Sequence, residues 1–152
     1  MQASAGSVRR VEAAAEGKTY DPVAFEVTED RVRAFLDLFG TLDKLEARLS
    51  RQRYLAGPRI TEADWRLFTT IVRFDAVYYT HFKCNLRRIM DYPSQSSYLR
   101  ELYQVPGVAA TVNMDHIKRH YFMSMLQLNP SGIVPLGPAL DFEAKHDRGR
   151  FG

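Results

Sequence analysis

Cys84 is the only cysteine of the chain, and in "HFKCNLRR" it has His81 three residues before it, Lys83 beside it and two arginines, Arg87 and Arg88, just after. A thiol near a histidine and positive charge is the setting in which a cysteine pKa falls and thiolate chemistry becomes available. Such a nucleophile also needs a base and an oxyanion site or resolving thiol, and the sequence offers only His81 on the same segment. Free cysteine is among the most often buried residues, so a structural Cys84 is expected. His116 and His120, at i, i+4 with Asp115 adjacent, share one helix face. They lack a third ligand and the acid–base residue of a metalloprotease helix, so no metal site is expected. Tyr78, Tyr79 and Tyr121 carry more promise, because a phenolic hydroxyl beside an apolar pocket can orient a flat oxygenated ligand or act as an acid. Buried tyrosines that only pack and hydrogen-bond are the plain alternative.

The elements that must position these residues are helical. From Thr28, Val32, Phe35, Leu36, Phe39, Leu42, Leu45 and Leu49 recur at three- and four-residue steps, one apolar stripe on a helix, with Gly40 marking close packing or a kink. Gly57-Pro58 breaks it. In "ITEADWRLF" Thr61 and Asp64 form a capping box, and Ile60 and Trp65 the matching hydrophobic staple. The next helix carries Trp65, Phe68, Val72, Ala76 and Tyr79 on one side and is expected to run towards Ile89 as the central helix. Arg73 and Asp75 within it call for buried partners on other helices. Tyr92-Pro93 stops the chain before a short helix from Ser94, "VPGVAATV" offers another from Pro106, and "MDHIKRHYFMSML" a last one. No strand pairs alternate, so the fold class is all-α. The expected organisation is a loosely ordered arm over 1–27, a helical domain over 28–128 and an extended Pro/Gly-rich segment over 129–152.

At 152 residues, 45% of them hydrophobic and 26% charged, the chain is large enough to bury one core and reads as an ordinary globular domain. One cysteine and no signal-peptide pattern make the cytoplasm the expected setting. No apolar run approaches membrane-spanning length, so no membrane partner is expected. A net charge of +3, dispersed among acidic residues, argues against nucleic acid. Twelve per cent aromatics suit either an aromatic core or a pocket for flat ligands.

Six stretches taken together, "RYLAG", "TEADWRLFTTIVRFDAVY", "HFKCNLRRI", "YLRELYQVPGVAATV", "DHIKRHYF" and "LNPSGIVPLGP", resemble the C-terminal helical domain of the glutathionyl-hydroquinone reductases, the xi class of glutathione transferases. The resemblance runs from about Phe35 to Asp147. It implies a glutathione transferase C-terminal-domain-like helical bundle. In such enzymes an N-terminal thioredoxin-like domain binds glutathione and supplies the catalytic cysteine from a Cys-Pro-Trp motif, and the helical domain forms the aromatic pocket and the dimer. This sequence has no Cys-Pro motif. Pocket tyrosines carry over onto Tyr78 and Tyr121, and more weakly onto Tyr20 in "TYDPVAF". Where the family reads Tyr-Tyr-Gly-Ser-His, this chain has Tyr121, Phe122, Met123, Ser124 and Met125. The exchange makes the expected pocket greasier.

The first functional expectation is therefore a stand-alone domain that binds a phenolic, quinone or polyketide-like small molecule. It would act without glutathione or any cofactor, in an isomerisation, dehydration or cyclisation. Tyr78 and Tyr121 would orient the ligand, His81 or His120 move protons, and Tyr20, Tyr79, Phe122 and Met125 line the pocket. The alternatives are a non-catalytic homodimerisation or interaction domain, partnering a separate thioredoxin-like protein through an exposed apolar face, and a fragment of a reductase.

Overall fold

Among the described residues every regular element is a helix, because the apolar spacing is helical throughout. The computed structural model describes residues 29–152; the expected arm over 1–27 and Tyr20 lie outside the described residues. By packing, the chain divides into Met1–Asp37 and Leu38–Gly152. Of the first unit only the opening turns of α1 (Glu29–Leu49) are described. In the second unit α1 buries Phe39, Leu42 and Leu49. A Cβ on Gly40 would meet nothing within 4 Å among the described residues, so of the two expectations at that glycine, close packing or a kink, close packing is not found there.

α2 (Glu62–Arg73) starts at Thr61 and buries Asp64, Phe68, Ile71 and Val72. The expected box forms in modified shape. The Asp64 carboxylate accepts from the Thr61 N–H at 2.8 Å, but the Thr61 hydroxyl also donates to Asp64, at 2.8 Å. The Asp64 N–H turns instead to the Thr61 carbonyl at 3.1 Å. Asp64 further accepts from the Leu55 N–H at 2.9 Å and the Tyr98 hydroxyl at 2.8 Å, so one carboxylate ties helix start, preceding loop and a distant helix together.

The central helix does not run on to Ile89. After Arg73 it widens into a π turn, Phe74–Tyr78, then closes with a single turn, α3 (Tyr79–His81). The chain then leaves the helix through Lys83, whose φ of 62° is left-handed. The N–H groups of Phe82 and Cys84 both donate to the Tyr78 carbonyl, at 3.2 and 3.1 Å. The buried Asp75 caps the next short 3₁₀ helix, Ile89–Asp91, by accepting from the N–H groups of Ile89 at 2.6 Å and Met90 at 3.1 Å. Arg73, by contrast, donates to the Thr69 carbonyl of its own helix.

α4 (Pro93–Tyr103) begins on a proline, and Glu46 of α1 accepts from its Ser94 and Gln95 N–H groups at 2.8 and 2.9 Å. The stretch expected to start a helix at Pro106 is instead a turn and a 3₁₀ segment, Ala109–Thr111. Next comes α5 (Met114–Ser124), its His116 N–H capped by the Asn113 side chain at 3.0 Å. From 125 to 147 there is no helix, yet the segment is held along its length. Lys118 donates to the carbonyls of Pro135, Leu136 and Gly137, and Gln104 to those of Phe142 and Ala144. At its end the fully buried Arg148 donates to the carbonyls of Leu49 at 2.7 Å, Gln52 at 2.6 Å and Arg53.

Candidate functional site

The π turn and α5 bring two phenols together. Tyr78 and Tyr121 lie with their hydroxyls 3.3 Å apart and their rings edge to face, centroids 5.8 Å apart. Burial, reinforced by the bond to Tyr121, pushes the Tyr78 phenol up to about 12. It therefore stays protonated near neutral pH and keeps its capacity to donate. In a hydroxyl pair one O–H is spent on the partner and the other is free for a ligand oxygen. Phe82, exposed, packs on both rings, with centroids 5.5 Å from Tyr78 and 5.9 Å from Tyr121.

His81 lies beneath the pair. It is buried, its ring 4.9 Å from Phe122 and 6.2 Å from Tyr121, and its Nε2 has no hydrogen-bond partner among the described residues. Burial, and then the charge of Lys83, hold its pKa below the usual imidazole value, so near neutral pH it is an uncharged ring. Phe122 belongs to the core with Ala76 and Val77. His120 is exposed, its ring centroid 5.1 Å from that of Tyr121. Tyr79 is half-buried and lines neither the phenol pair nor the cavity beside it. Met125 is half-buried at the C-terminal end of α5.

Cys84 is half-buried, its Sγ 3.9 Å from the Phe82 carbonyl. Burial pushes its thiol up, the direction opposite to activation. Among the described residues no three His, Cys, Asp or Glu side chains gather into a set that could hold a metal. None of the described helices is long and apolar enough to cross a membrane.

Beside the phenols, Arg73, His116, Ile117, His120 and Tyr121 line a cavity of about 330 Å³. It adjoins a second of about 330 Å³ walled by Trp65, Phe68, Val72, Val108 and Val112, and the two share Arg73 and Ile117. Sequence reasoning missed Phe82 and Arg73 as site residues. Phe82 could have been found as the aromatic four residues after Tyr78; Arg73 stood out as a charge among apolar neighbours but was expected to pair with another helix.

Residues 22–104 match the model of the glutathione S-transferase C-terminal domain. Over 120 residues the chain is 52% identical to the glutathionyl-hydroquinone reductase YqjG of Escherichia coli, covering 78% of this chain and 37% of that protein. Over 106 residues it is 56% identical to the glutathionyl-hydroquinone reductase PcpF of Sphingobium chlorophenolicum, covering 70% and 34%. The chain thus spans little more than a third of either relative. Among solved structures, the Xi-class glutathione transferase of Natrialba magadii superposes with a TM-score of 0.80 at 49% identity, over 83% of this chain and 38% of that one.

Proposed function

Because the chain belongs to the glutathione S-transferase C-terminal-domain family, we propose that it is the helical, substrate-orienting part of an enzyme of the glutathionyl-hydroquinone reductase kind. The observation that carries the proposal is the Tyr78–Tyr121 hydroxyl pair at 3.3 Å. The ligand is a hydroquinone bearing a glutathionyl group. One phenol donates to a ring oxygen while the other supports it, and Phe82 offers its face to the ring.

The thiol chemistry belongs to a thioredoxin-like partner or domain. A cysteine thiolate there attacks the thioether sulfur, the ring carbon–sulfur bond breaks, the carbon takes up a proton, and a cysteine–glutathione disulfide forms. A second glutathione then releases the thiol as glutathione disulfide leaves. The contribution of the present residues is to hold the ring oxygens as electron density returns to the ring. Cys84, with its raised pKa, takes no part. His81, buried and uncharged, fixes the ring stack from below. This reading displaces the glutathione-independent catalyst expected first from sequence, because the relatives act on glutathionyl-hydroquinones and share about half of the aligned residues.

The test is calorimetric titration of the chain with S-glutathionyl methylhydroquinone. Tyr78→Phe and Tyr121→Phe should each weaken binding by about 1 kcal/mol, roughly fivefold, and the double variant should lose less than the sum because the bond is shared. No binding by the parent, or equal binding by all variants, refutes the proposal.

A further inference from the structure

Arg73 is a charge beside the phenol pair, close enough to act on the Tyr78 hydroxyl. Its half-buried side chain donates to the Thr69 carbonyl one turn back, and among the described residues it joins no ion pair. It sits where the two cavities meet, with Ile117 as the other shared wall. On one side lies a lobe whose surface is set by Trp65, Phe68, Val72, Val108 and Val112, with Trp65 and Phe68 edge to face at 5.9 Å. On the other lie His116, His120 and the Tyr121 phenol.

The polar side is rich in donors and poor in negative charge. Among the described residues no carboxylate lines either lobe. The carboxylates next in sequence to the lining are engaged elsewhere: Asp115 with Arg119 at 2.8 Å, Asp64 with Thr61, Leu55 and Tyr98, and Asp75 with the N–H groups of Ile89 and Met90. A guanidinium with two imidazoles and a phenol around it favours an anion, and its planar fork matches a carboxylate. The adjoining lobe has the size and apolar lining of a site for one aromatic ring system. Inorganic anions would leave that lobe empty, and neutral aromatics would leave Arg73 without a counter-charge.

We propose that this groove binds a small aromatic carboxylic acid, with its ring system against Trp65 and Phe68 and its carboxylate on Arg73, supported by His116 and His120. The site needs no thiol, no glutathione and no bond between Tyr78 and Tyr121, but Tyr121 lines it and also belongs to the phenol pair, so it adjoins the hydroquinone site of the reductase reading and shares that one residue. Its ligand is recognised by charge at one end and apolar area at the other.

Trp65 is the single tryptophan of the chain and lines the groove, so its fluorescence reports occupancy directly. Anthraquinone-2-carboxylate should quench it at concentrations about tenfold or more below those needed for 2-(hydroxymethyl)anthraquinone, the neutral isostere. Arg73→Gln should bring the two probes to within about twofold of each other, and Arg73→Lys should keep a reduced preference. On the unsubstituted protein, 1-naphthoate should displace the bound anthraquinone, 1-naphthalenemethanol should do so only at about tenfold higher concentration, and inorganic phosphate should not. This competition decides the matter even if Arg73→Gln fails to fold. Equal affinity for the two anthraquinones, a preference that survives Arg73→Gln, or displacement by phosphate each overturns the proposal. Tyr78→Phe should leave the carboxylate preference intact while weakening the hydroquinone, so the two sites can fail separately.

Discussion

Removing the Asp64 side chain should expose how much of the fold one carboxylate holds. Asp64 has no solvent exposure and accepts from Thr61 N–H, Thr61 hydroxyl, Leu55 N–H and Tyr98 hydroxyl, all within 2.9 Å. In Asp64→Ala the Thr61 groups, half-buried, can turn to water, but the Tyr98 hydroxyl is on a residue without exposure and the Leu55 N–H is part-buried. Each of the two stranded donors costs about 1–3 kcal/mol and the weakened helix start about 1 more, so the loss should be roughly 3–7 kcal/mol. At about 2–4 °C per kcal/mol for a chain of this size, Tm should fall by roughly 6–28 °C. The pH dependence carries a sign. Burial alone would raise the Asp64 pKa, but its four hydrogen bonds outweigh burial and hold it below the ordinary carboxylate value. Its stabilisation is therefore complete above the unfolded carboxylate range and is lost as pH falls through the folded pKa. Asp75 runs the other way. Burial outweighs its two hydrogen bonds and raises its pKa, so its contribution to stability declines as pH rises through the carboxylate range. The difference between parent and Asp64→Ala, not the total curve, isolates Asp64. Denaturant melts are the assay. A loss under about 1 kcal/mol, or strict additivity of Asp64→Ala with Tyr98→Phe, refutes the reasoning.

Arg148→Met should unfasten the last segment of the chain. The carbonyls of Leu49, Gln52 and Arg53 lose a charged donor, at a cost of about 3–5 kcal/mol, and hydrogen exchange over residues 139–152 should accelerate. Melting and exchange unchanged from the parent would show that the segment is held without it. Cys84→Ser should leave ligand binding and any reductase activity intact and cost about 1 kcal/mol or less, and the thiol of the parent should alkylate readily only under alkaline conditions. Rapid alkylation near neutral pH, or a folded Cys84→Ser variant without activity, would restore the nucleophile.

The elements with local signatures were the legible ones. α1 forms where its apolar spacing places it and buries Phe39, Leu42 and Leu49 of the stripe, though Val32 and Leu36 are exposed; α2 starts where Thr61 and Asp64 place it, and α4 starts at the proline that cannot sit inside a helix. The long-range partners of polar residues were not legible. That Asp64 would also collect Tyr98, or that Glu46 would cap α4 from α1, depends on how helices far apart in sequence meet. The early end of the central helix, at 82–88, has a local cause that composition hides. Lys83 stands in a left-handed conformation usually given to glycine, and nothing in "HFKCN" announces a stop.

The π turn explains why the site contains Tyr78 and His81 rather than Tyr79. In an uninterrupted helix the inner stripe of Trp65, Phe68, Val72 and Ala76 would continue to Tyr79. A π turn inserts one residue into the count, which rotates everything beyond it by about 100°. The inner face then passes through Val77 and His81, both buried, while Thr80 is exposed and Tyr79 only half-buried. Phe74, Tyr78 and Phe82, at four-residue steps, stack in turn with ring centroids 6.0 and 5.5 Å apart, and Tyr78 lies against Tyr121. The phenol pair is thus a product of one inserted residue, held from one side by the hydrogen bonds of Asp75 and closed at the other by the turn at Lys83. Cys84 finds its role in that closure, through a backbone N–H on the Tyr78 carbonyl and not through its sulfur.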